Sequence, residues 1–383
     1  MTEAAGDRAP RFRIDSDDER AFREEVREWV AHNLPDDLRD RVQRPPPARL
    51  RAWHRALFER GWVAPHWPRA AGGMGASVRA QLILVEEMVR AGAPMIVTPG
   101  LGFVGPLLIH YGSAAQKARH LPPILRAEVE WAQGYSEPGA GSDLASLATA
   151  AVRDGDRYVV NGRKIWQTWG HHADWMFTLV RTDRSVPKHH GISCLLIDMK
   201  TRGVTVRPIV TIVGEDELSE VLLEDVVVPA ENMVGAPGDG WRLANALLAH
   251  ERLAGSNPMF CMTALARAKR LAAATGTDAT ASFRARAAEL DIAVTSLSAL
   301  FEHAVRLTES GRTLGPETSL LKLVATETLQ AISDLAVEAT GGDGADADAD
   351  ASAHFLQSRR ATIFGGSREI HRNIVARRLL GLP

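Results

Sequence analysis

Apolar positions along the chain fall into three regimes. Up to about residue 130 they recur at helical spacing. Ser16 and Glu19 form an S-x-x-E capping signature, after which Phe22, Val26, Trp29 and Val30 share one helix face. RPPPARL (44–50) ends a connection and opens another helix. The Pro- and Gly-rich loop PHWPRAAGGMGA (65–76) reads as a plain connection or as a substrate-channel wall, and SVRAQLILVEEMVRAGA (77–93) then resumes the helical pattern. From about residue 131 the runs become short and β-branched. Asn161-Gly162, between RYVV and RKIW, predicts a type I′ hairpin turn. ADWMFTLVRT (173–182), GISCLLIDM (191–199), GVTVRPIV (203–210) and SEVLLEDVVVP (219–229) predict further strands. No βαβ alternation is present, so a compact antiparallel sheet or barrel is expected rather than a Rossmann sheet. After GAPGDGW (235–241) the helical period returns, with helices expected over 241–273, 281–310 and 317–340 and a solvated Asp/Ala-rich tract at 341–352. The expectation is an α+β multidomain chain: a helical domain over 1–130, an antiparallel β domain over 131–235 and a helical bundle over 236–383.

Composition narrows the functional classes. A formal net charge of −2 over 383 residues implies neither a nucleic-acid footprint nor a polybasic membrane patch. No run approaches the ~18 apolar residues of a membrane span. The N-terminal segment has no apolar signal core. Cys194 and Cys261 are the two cysteines, outside any zinc-ligand spacing, which fits a reduced cytoplasmic protein. His171-His172 and His189-His190 invite a metal reading, but adjacent histidines on a strand point to opposite faces, so no metal is expected.

Three segments carry candidate chemistry. In LLAHERLAG (247–255), Glu251 shares a helix face with Ala244, Leu247, Leu248, Ala254 and Gly255. A carboxylate on an apolar face is costly unless its surroundings offset the cost. In YSEPGAGSDLASL (135–147), Gly139, Gly141, Ser142 and Asp143 form a turn rich in backbone and hydroxyl donors, suited to a phosphate or the polar edge of a heteroaromatic ring. It is neither a GxGxxG nor a P-loop motif. In NGRKIWQTWGHHADW (161–175), Trp166 and Thr168 are two apart, so on a strand an indole and a hydroxyl would face the same flat ligand.

EPGAGSD followed by NGRKIWQTWG resembles the flavin-binding middle domain of the acyl-CoA dehydrogenase family. The resemblance continues through EVLLEDVVVP, GDGW and the closing GSREIHRNIVARRLLGLP, in order and over nearly the whole chain. It implies a helical domain, a β domain and a C-terminal four-helix bundle, with FAD bound between the β domain and the C-terminal helices. It implies that Tyr135 and Ser136 meet the flavin ring, that Gly141 and Ser142 meet the pyrophosphate, and that Trp166 and Thr168 lie along the isoalloxazine. Gly341 and Gly342 would contact the FAD of an adjoining subunit, and Ser367 and Glu369 its phosphate and adenosine side.

The implied reaction needs a carboxylate to remove the proton α to a thioester and a flavin to take hydride from the β carbon, giving a trans-2-enoyl thioester. Many relatives carry that glutamate near the C-terminus, where this chain has Gly365 within IFGGSREI. A second branch places it on the first helix after the β domain, which here assigns it to Glu251 in HERL. The other reading of Glu251 is a core salt bridge in an inactive protein. Arg252 either steers CoA phosphates or pairs with a carboxylate.

Two departures stand out. No R-x-x-F-G phrase occurs in RLAAATGTDATASFRARAAEL, and Glu338 replaces the family's usual Gln before the paired glycines. Both weaken the inter-subunit half of the FAD site. A heteromeric partner of the same family would supply the missing contacts; a homodimer would dispense with them. The leading expectation is an FAD-dependent dehydrogenase of a CoA- or carrier-bound acyl thioester, with an electron-transfer flavoprotein as acceptor. A flavin monooxygenase or oxidase on the same scaffold and a non-catalytic subunit are the alternatives.

Overall fold

The computed structural model describes residues 15–41, 45–96, 98–340 and 350–383, without the side chains of 248–255. In chain order come helices α1 (Asp17–Asn33), α2 (Pro47–Glu59), α3 (Val78–Arg90), α4 (Gly105–Tyr111) and α5 (Ala114–Leu125). Strands follow: β1 (Trp131–Gly134), β2 (Ala150–Asp154), β3 (Arg157–Thr168), β4 (Trp175–Arg181), β5 (Ile192–Asp198), β6 (Val204–Ile209), β7 (Leu218–Pro229) and β8 (Met233–Val234). The chain then returns to helices α6 (Gly240–Gly255), α7 (Pro258–Thr275), α8 (Ala281–Glu309), α9 (Glu317–Ala339), α10 (Asp350–Ser358) and α11 (Arg368–Ile374). The α+β order expected from the patterning is the one observed.

Local chemistry explains most boundaries. Ser16 and Glu19 make the expected capping box at α1: the Ser16 hydroxyl accepts from the Glu19 amide and the Glu19 carboxylate accepts from the Ser16 amide. The single helix expected over 241–273 is two helices. Pro258 lacks the N–H a continuing helix would use and sits at the start of α7, where Asn257 accepts from the Met259 amide at 2.9 Å.

The chain forms two compact units, each assembled from separated stretches. One comprises Pro45–Ala76 and Ile96–Leu248; the other comprises Met1–Arg44, Ser77–Met95 and Ala249–Pro383. The first unit holds the sheet, in the order β6-β7-β3-β2-β4-β5-β8, with β1 pairing parallel to β4. The other named pairs are antiparallel except for a single parallel register of Ala150 with Arg181 between β2 and β4. Tyr158, Val160, Met176, Leu195, Val221 and Val228 are among its core side chains.

The expected hairpin turn at Asn161-Gly162 is not there. The turn between β2 and β3 lies at Gly155-Asp156, with Asp154 paired to Arg157 and Gly155 at φ 62°. Asn161 and Gly162 lie inside β3, where its register against β7 shifts between Val160 and Gly162. A Cβ on Gly162 would come within 2.6 Å of the Thr149 Cα, so glycine serves a close chain approach. Asn161 exchanges hydrogen bonds with Asp225, donating at 3.0 Å and accepting at 2.8 Å. Pairing across the sheet overrode the local turn preference.

In the second unit α7, α8 and α9 enclose a core that includes Leu265, Leu290, Leu297, Phe301, Leu321 and Ile332, with Val78 and Leu82 of α3 packed against it. Ion pairs hold both ends of α3. Arg79 donates to Glu302 and Glu309 of α8 at 2.8 and 3.0 Å. Glu87, only 1% exposed, accepts from Arg23 and Arg27 of α1 at 2.9 and 3.0 Å.

Candidate active site

The segment 135–147 leaves the end of β1 and is anchored twice. At its start, the fully buried Lys164 of β3 donates to Glu137 at 2.8 Å and to the Tyr135 carbonyl at 3.2 Å. Glu137 also accepts from the Ala148 and Thr149 amides at 2.7 and 2.9 Å, which closes the loop on itself. The Ile165 amide donates to the Ser136 carbonyl at 3.0 Å. Burial alone would raise the Glu137 pKa, but the Lys164 charge and these hydrogen bonds bring it below the ordinary value. Burial pushes Lys164 down to about 8 despite Glu137, which leaves it charged at neutral pH. At its far end, Lys188 donates to Asp143 at 2.8 Å, and Arg181 donates to the Ala145 and Leu147 carbonyls at 2.6 and 3.2 Å.

Between these anchors the loop stands open. A Cβ on Gly139 or Gly141 would meet no atom within 4 Å, and neither residue has a positive φ. Nothing inside the described residues therefore requires glycine there, whereas close approach of a ligand to the backbone would. Ser142 is exposed, and the hydroxyls of Ser136 and Ser142 take no hydrogen bond from the described residues.

On β3 the register against β7 shifts again between Ile165 and Gln167, and Trp166 sits in this bulge at φ 73° with its indole 56% exposed. The simple alternation expected for Trp166 and Thr168 is therefore interrupted between them. Thr168 pairs with Leu218, and its hydroxyl has no partner among the described residues. Tyr135 is buried with its ring 5.5 Å from Phe177 in an edge contact. The unit thus ties Tyr135 and Ser136 to β3 immediately before Trp166, with Gly141 and Ser142 on the same loop. Open glycines, three uncommitted hydroxyls and a bare indole fit a flat heteroaromatic ligand that carries phosphates.

The remaining candidates lie in the other unit. Ser367 caps α11, accepting from the Ile370 amide at 3.4 Å, and Glu369 in the first turn pairs with Arg368 at 3.3 Å. Gly341 and Gly342 lie outside the described residues. Glu251 and Arg252 stand on α6, whose backbone is described, but their side chains lie outside the described residues. Glu338 forms an ion pair with Arg286 of α8. Gly365, at φ 63°, adopts a backbone state open to glycine; its carbonyl meets His371 Nε2 at 3.1 Å, while Lys322 donates to the carbonyls on either side, of Phe364 and Gly366.

His171 and His172 lie in a short turn after β3 rather than on a strand, and their rings stand 4.1 Å apart instead of on opposite faces. Among the described residues no group of three or more His, Cys, Asp or Glu could hold a metal, and no helix is long and apolar enough to cross a membrane. Sequence reasoning missed Glu137, Lys164 and Lys188 as the frame of the loop. A signal existed for the first two: a lysine inside a strand-like run and a glutamate beside the Gly-rich turn invite pairing.

The chain resembles known proteins along most of its length. Residues 16–128, 132–226 and 238–380 match the family models for the acyl-CoA dehydrogenase N-terminal, middle and C-terminal domains. The chain is 38% identical to the acyl-CoA dehydrogenase IpdE1 of Mycobacterium tuberculosis, over 94% of this chain and 97% of that protein. It is 30% identical to mouse mitochondrial short-chain specific acyl-CoA dehydrogenase, over 85% of this chain and 81% of that one. Among solved structures, the "Tcur3481-Tcur3483 steroid ACAD" superposes with a TM-score of 0.87 at 30% identity, over 97% of this chain and 99% of that chain. The ChsE4-ChsE5 complex from Mycobacterium tuberculosis superposes with a TM-score of 0.83 at 29% identity, over the same shares. The chain belongs to the acyl-CoA dehydrogenase family, flavoprotein oxidoreductases that act on the CH–CH group of their donors.

Proposed function

We propose that this chain, with FAD, dehydrogenates an acyl-CoA or carrier-bound acyl thioester between its α and β carbons, giving the trans-2-enoyl thioester. The observation that carries the reading is the set of uncommitted hydroxyls of Ser136, Ser142 and Thr168 with the exposed indole of Trp166, in a chain whose relatives are named acyl-CoA dehydrogenases. Tyr135, Ser136, Trp166 and Thr168 bind and orient the flavin ring. Ser142, with Gly141 beside it, approaches the pyrophosphate, Ser367 and Glu369 take the phosphate and adenosine side, and Gly341 and Gly342 contact the FAD of an adjoining subunit. When bound, the flavin supplies the acceptor for the hydride that leaves the β carbon. Glu251 takes the proton from the α carbon, whose acidity the thioester carbonyl raises. Support for Glu251 is its place on α6, the first helix after the sheet, together with a glycine at 365 that has no side chain to take a proton. Arg252 steers the CoA phosphates.

The names of two similar structures, Tcur3481-Tcur3483 and ChsE4-ChsE5, each join two proteins, and the first carries the word "steroid". These names support a heteromeric assembly with a second family member and a bulky, ring-bearing acyl group here. The Arg286–Glu338 pair supports the same assembly, because it occupies Glu338 within its own chain. An electron-transfer flavoprotein is the proposed acceptor. That same pair, with Gly365, also favours a second reading in which the chain is a non-catalytic subunit.

The test is to purify the chain alone and with a co-expressed family partner, measure flavin content, and add a panel of acyl-CoAs without oxygen. Bleaching of the yellow flavin that Glu251→Gln abolishes and Glu369→Gln retains is expected. Unchanged bleaching in Glu251→Gln would refute the base assignment. Flavin that no thioester bleaches, but that reacts rapidly with oxygen once reduced, would favour the monooxygenase or oxidase alternative. A fully flavinated homo-oligomer would remove the need for a partner.

A further inference from the structure

The end of β3 is held in an unusual shape. Trp169, directly after Thr168, is a non-glycine residue at φ 48° and ψ 36°. Its amide donates to the Glu217 carbonyl at 2.6 Å. The chain then turns through Gly170, where an added Cβ would press on Ser219 at 3.1 Å and Gln167 at 3.3 Å. His171 closes the turn. Its backbone amide and its Nδ1 both meet the Ser219 hydroxyl, at 3.3 and 2.9 Å. Ser219 is fully buried on β7 and is the register partner of Gln167, one residue before Thr168.

A left-handed conformation in a tryptophan persists only where neighbours over-determine it. Bonds that do so here include the backbone bond to Glu217, the His172 amide on the Trp169 carbonyl at 2.9 Å, and the contacts of His171 with Ser219. Of these, the contact between the His171 ring and the Ser219 hydroxyl joins two side chains. A neutral imidazole that accepts at Nδ1 fits these contacts and leaves the buried Nε2 without a hydrogen bond among the described residues. Ser219 Oγ accepts the backbone amide and turns its proton to Nδ1, while Nε2 faces Asp216 at 3.6 Å. The His172 ring packs on the other side at 4.1 Å.

We propose that His171 is a positioning residue for the flavin-facing end of β3: bonded to Ser219, it holds the turn at 169–170 and thereby sets where Thr168 and Trp166 meet the ring. This rests on the proposed reading that Thr168 and Trp166 face a flavin. It concerns a residue that does not itself touch the cofactor.

The variants are His171→Ala, His171→Asn and Ser219→Ala, in the full chain, purified both alone and with the co-expressed family partner. The readouts are FAD affinity of the apoprotein, the visible spectrum of the bound flavin, and amide hydrogen exchange at Trp169 and Gly170. Losing one such bond is expected to weaken FAD about tenfold in His171→Ala and in Ser219→Ala. Both are also expected to shift the flavin band and to speed exchange at the two amides by a similar factor. The double variant should be no worse than Ser219→Ala, which already removes the bond to Nδ1 together with the acceptor of the His171 amide. His171→Asn, whose amide oxygen can accept from Ser219, should stay within about threefold of wild type.

Unchanged affinity and spectrum in His171→Ala would overturn the inference, whatever happened to thermal stability. So would His171→Asn behaving like His171→Ala, or a wild-type protein that binds no FAD either alone or with the partner. If wild type binds FAD and His171→Ala weakens it, but no acyl thioester bleaches the flavin, the proposed dehydrogenation fails and the positioning role stands. If thioesters bleach the flavin and His171→Ala binds it normally, the reverse holds.

Discussion

Replacing Lys164 by methionine tests the frame of the loop most directly. The side chain is fully buried, and methionine fills much of its volume without a charge. The change leaves the Glu137 carboxylate 8% exposed with two backbone donors, from Ala148 and Thr149, at 2.7 and 2.9 Å. Removing one partner of a buried pair costs about 3–5 kcal/mol, and the retained donors hold the cost near the lower figure, about 3 kcal/mol. The pH dependence identifies the cause. In wild type Glu137 titrates below its ordinary value, so its contribution is present above the unfolded-state pKa and is lost as pH falls through the lower folded one. In Lys164→Met the same carboxyl is buried without its cation and titrates above the unfolded value. The destabilisation is then full above the raised pKa and fades as the group protonates on acidification. Urea midpoints at constant slope should therefore show a gap of about 3 kcal/mol at neutral pH that narrows toward about pH 5. Adding Glu137→Gln should return at least half of it, because the uncompensated charge is gone. A neutral-pH gap below about 1 kcal/mol, or one with no pH dependence, would show that the pair does not organise the loop.

Two further outcomes are expected. Gly141→Ala should leave folding stability within about 0.5 kcal/mol, since its Cβ meets nothing within 4 Å, yet weaken FAD binding measurably; equal affinity would mean that no ligand backbone approach occurs there. His54 and His120 are buried, and burial pushes each down to about 4. A histidine lowered from its ordinary value makes stability fall as pH drops from about 6.5 toward 4, by about 3 kcal/mol for each group. His120 makes edge contacts with both Trp131 and Trp175, at 5.2 and 4.9 Å, so His120→Phe preserves the aromatic packing and should flatten that acid limb in equilibrium unfolding; an unaltered limb would contradict its burial as a neutral ring.

The chain's local chemistry was enough to determine what kind of element most segments form. The Ser16–Glu19 box opens α1, and α8 and α9 begin and end within a residue or so of the limits read from periodicity, because caps and helical spacing act over a few neighbouring residues. The ordered motifs around EPGAGSD and NGRKIWQTWG likewise determined the family and named Tyr135, Ser136, Gly141, Ser142, Trp166 and Thr168. Other features depend on partners far along the chain, and only the tertiary structure decided them. Asn161-Gly162 carries every local mark of a hairpin turn, but its pairing with β7 and the nearness of Thr149 make it a bulge inside a strand. The same ladder puts Trp166 into a second bulge and leaves its indole bare. Glu137 and Lys164, 27 residues apart, become a pair only where the sheet removes both from water. Register and desolvation are properties of the assembled sheet, so no window of sequence contains them.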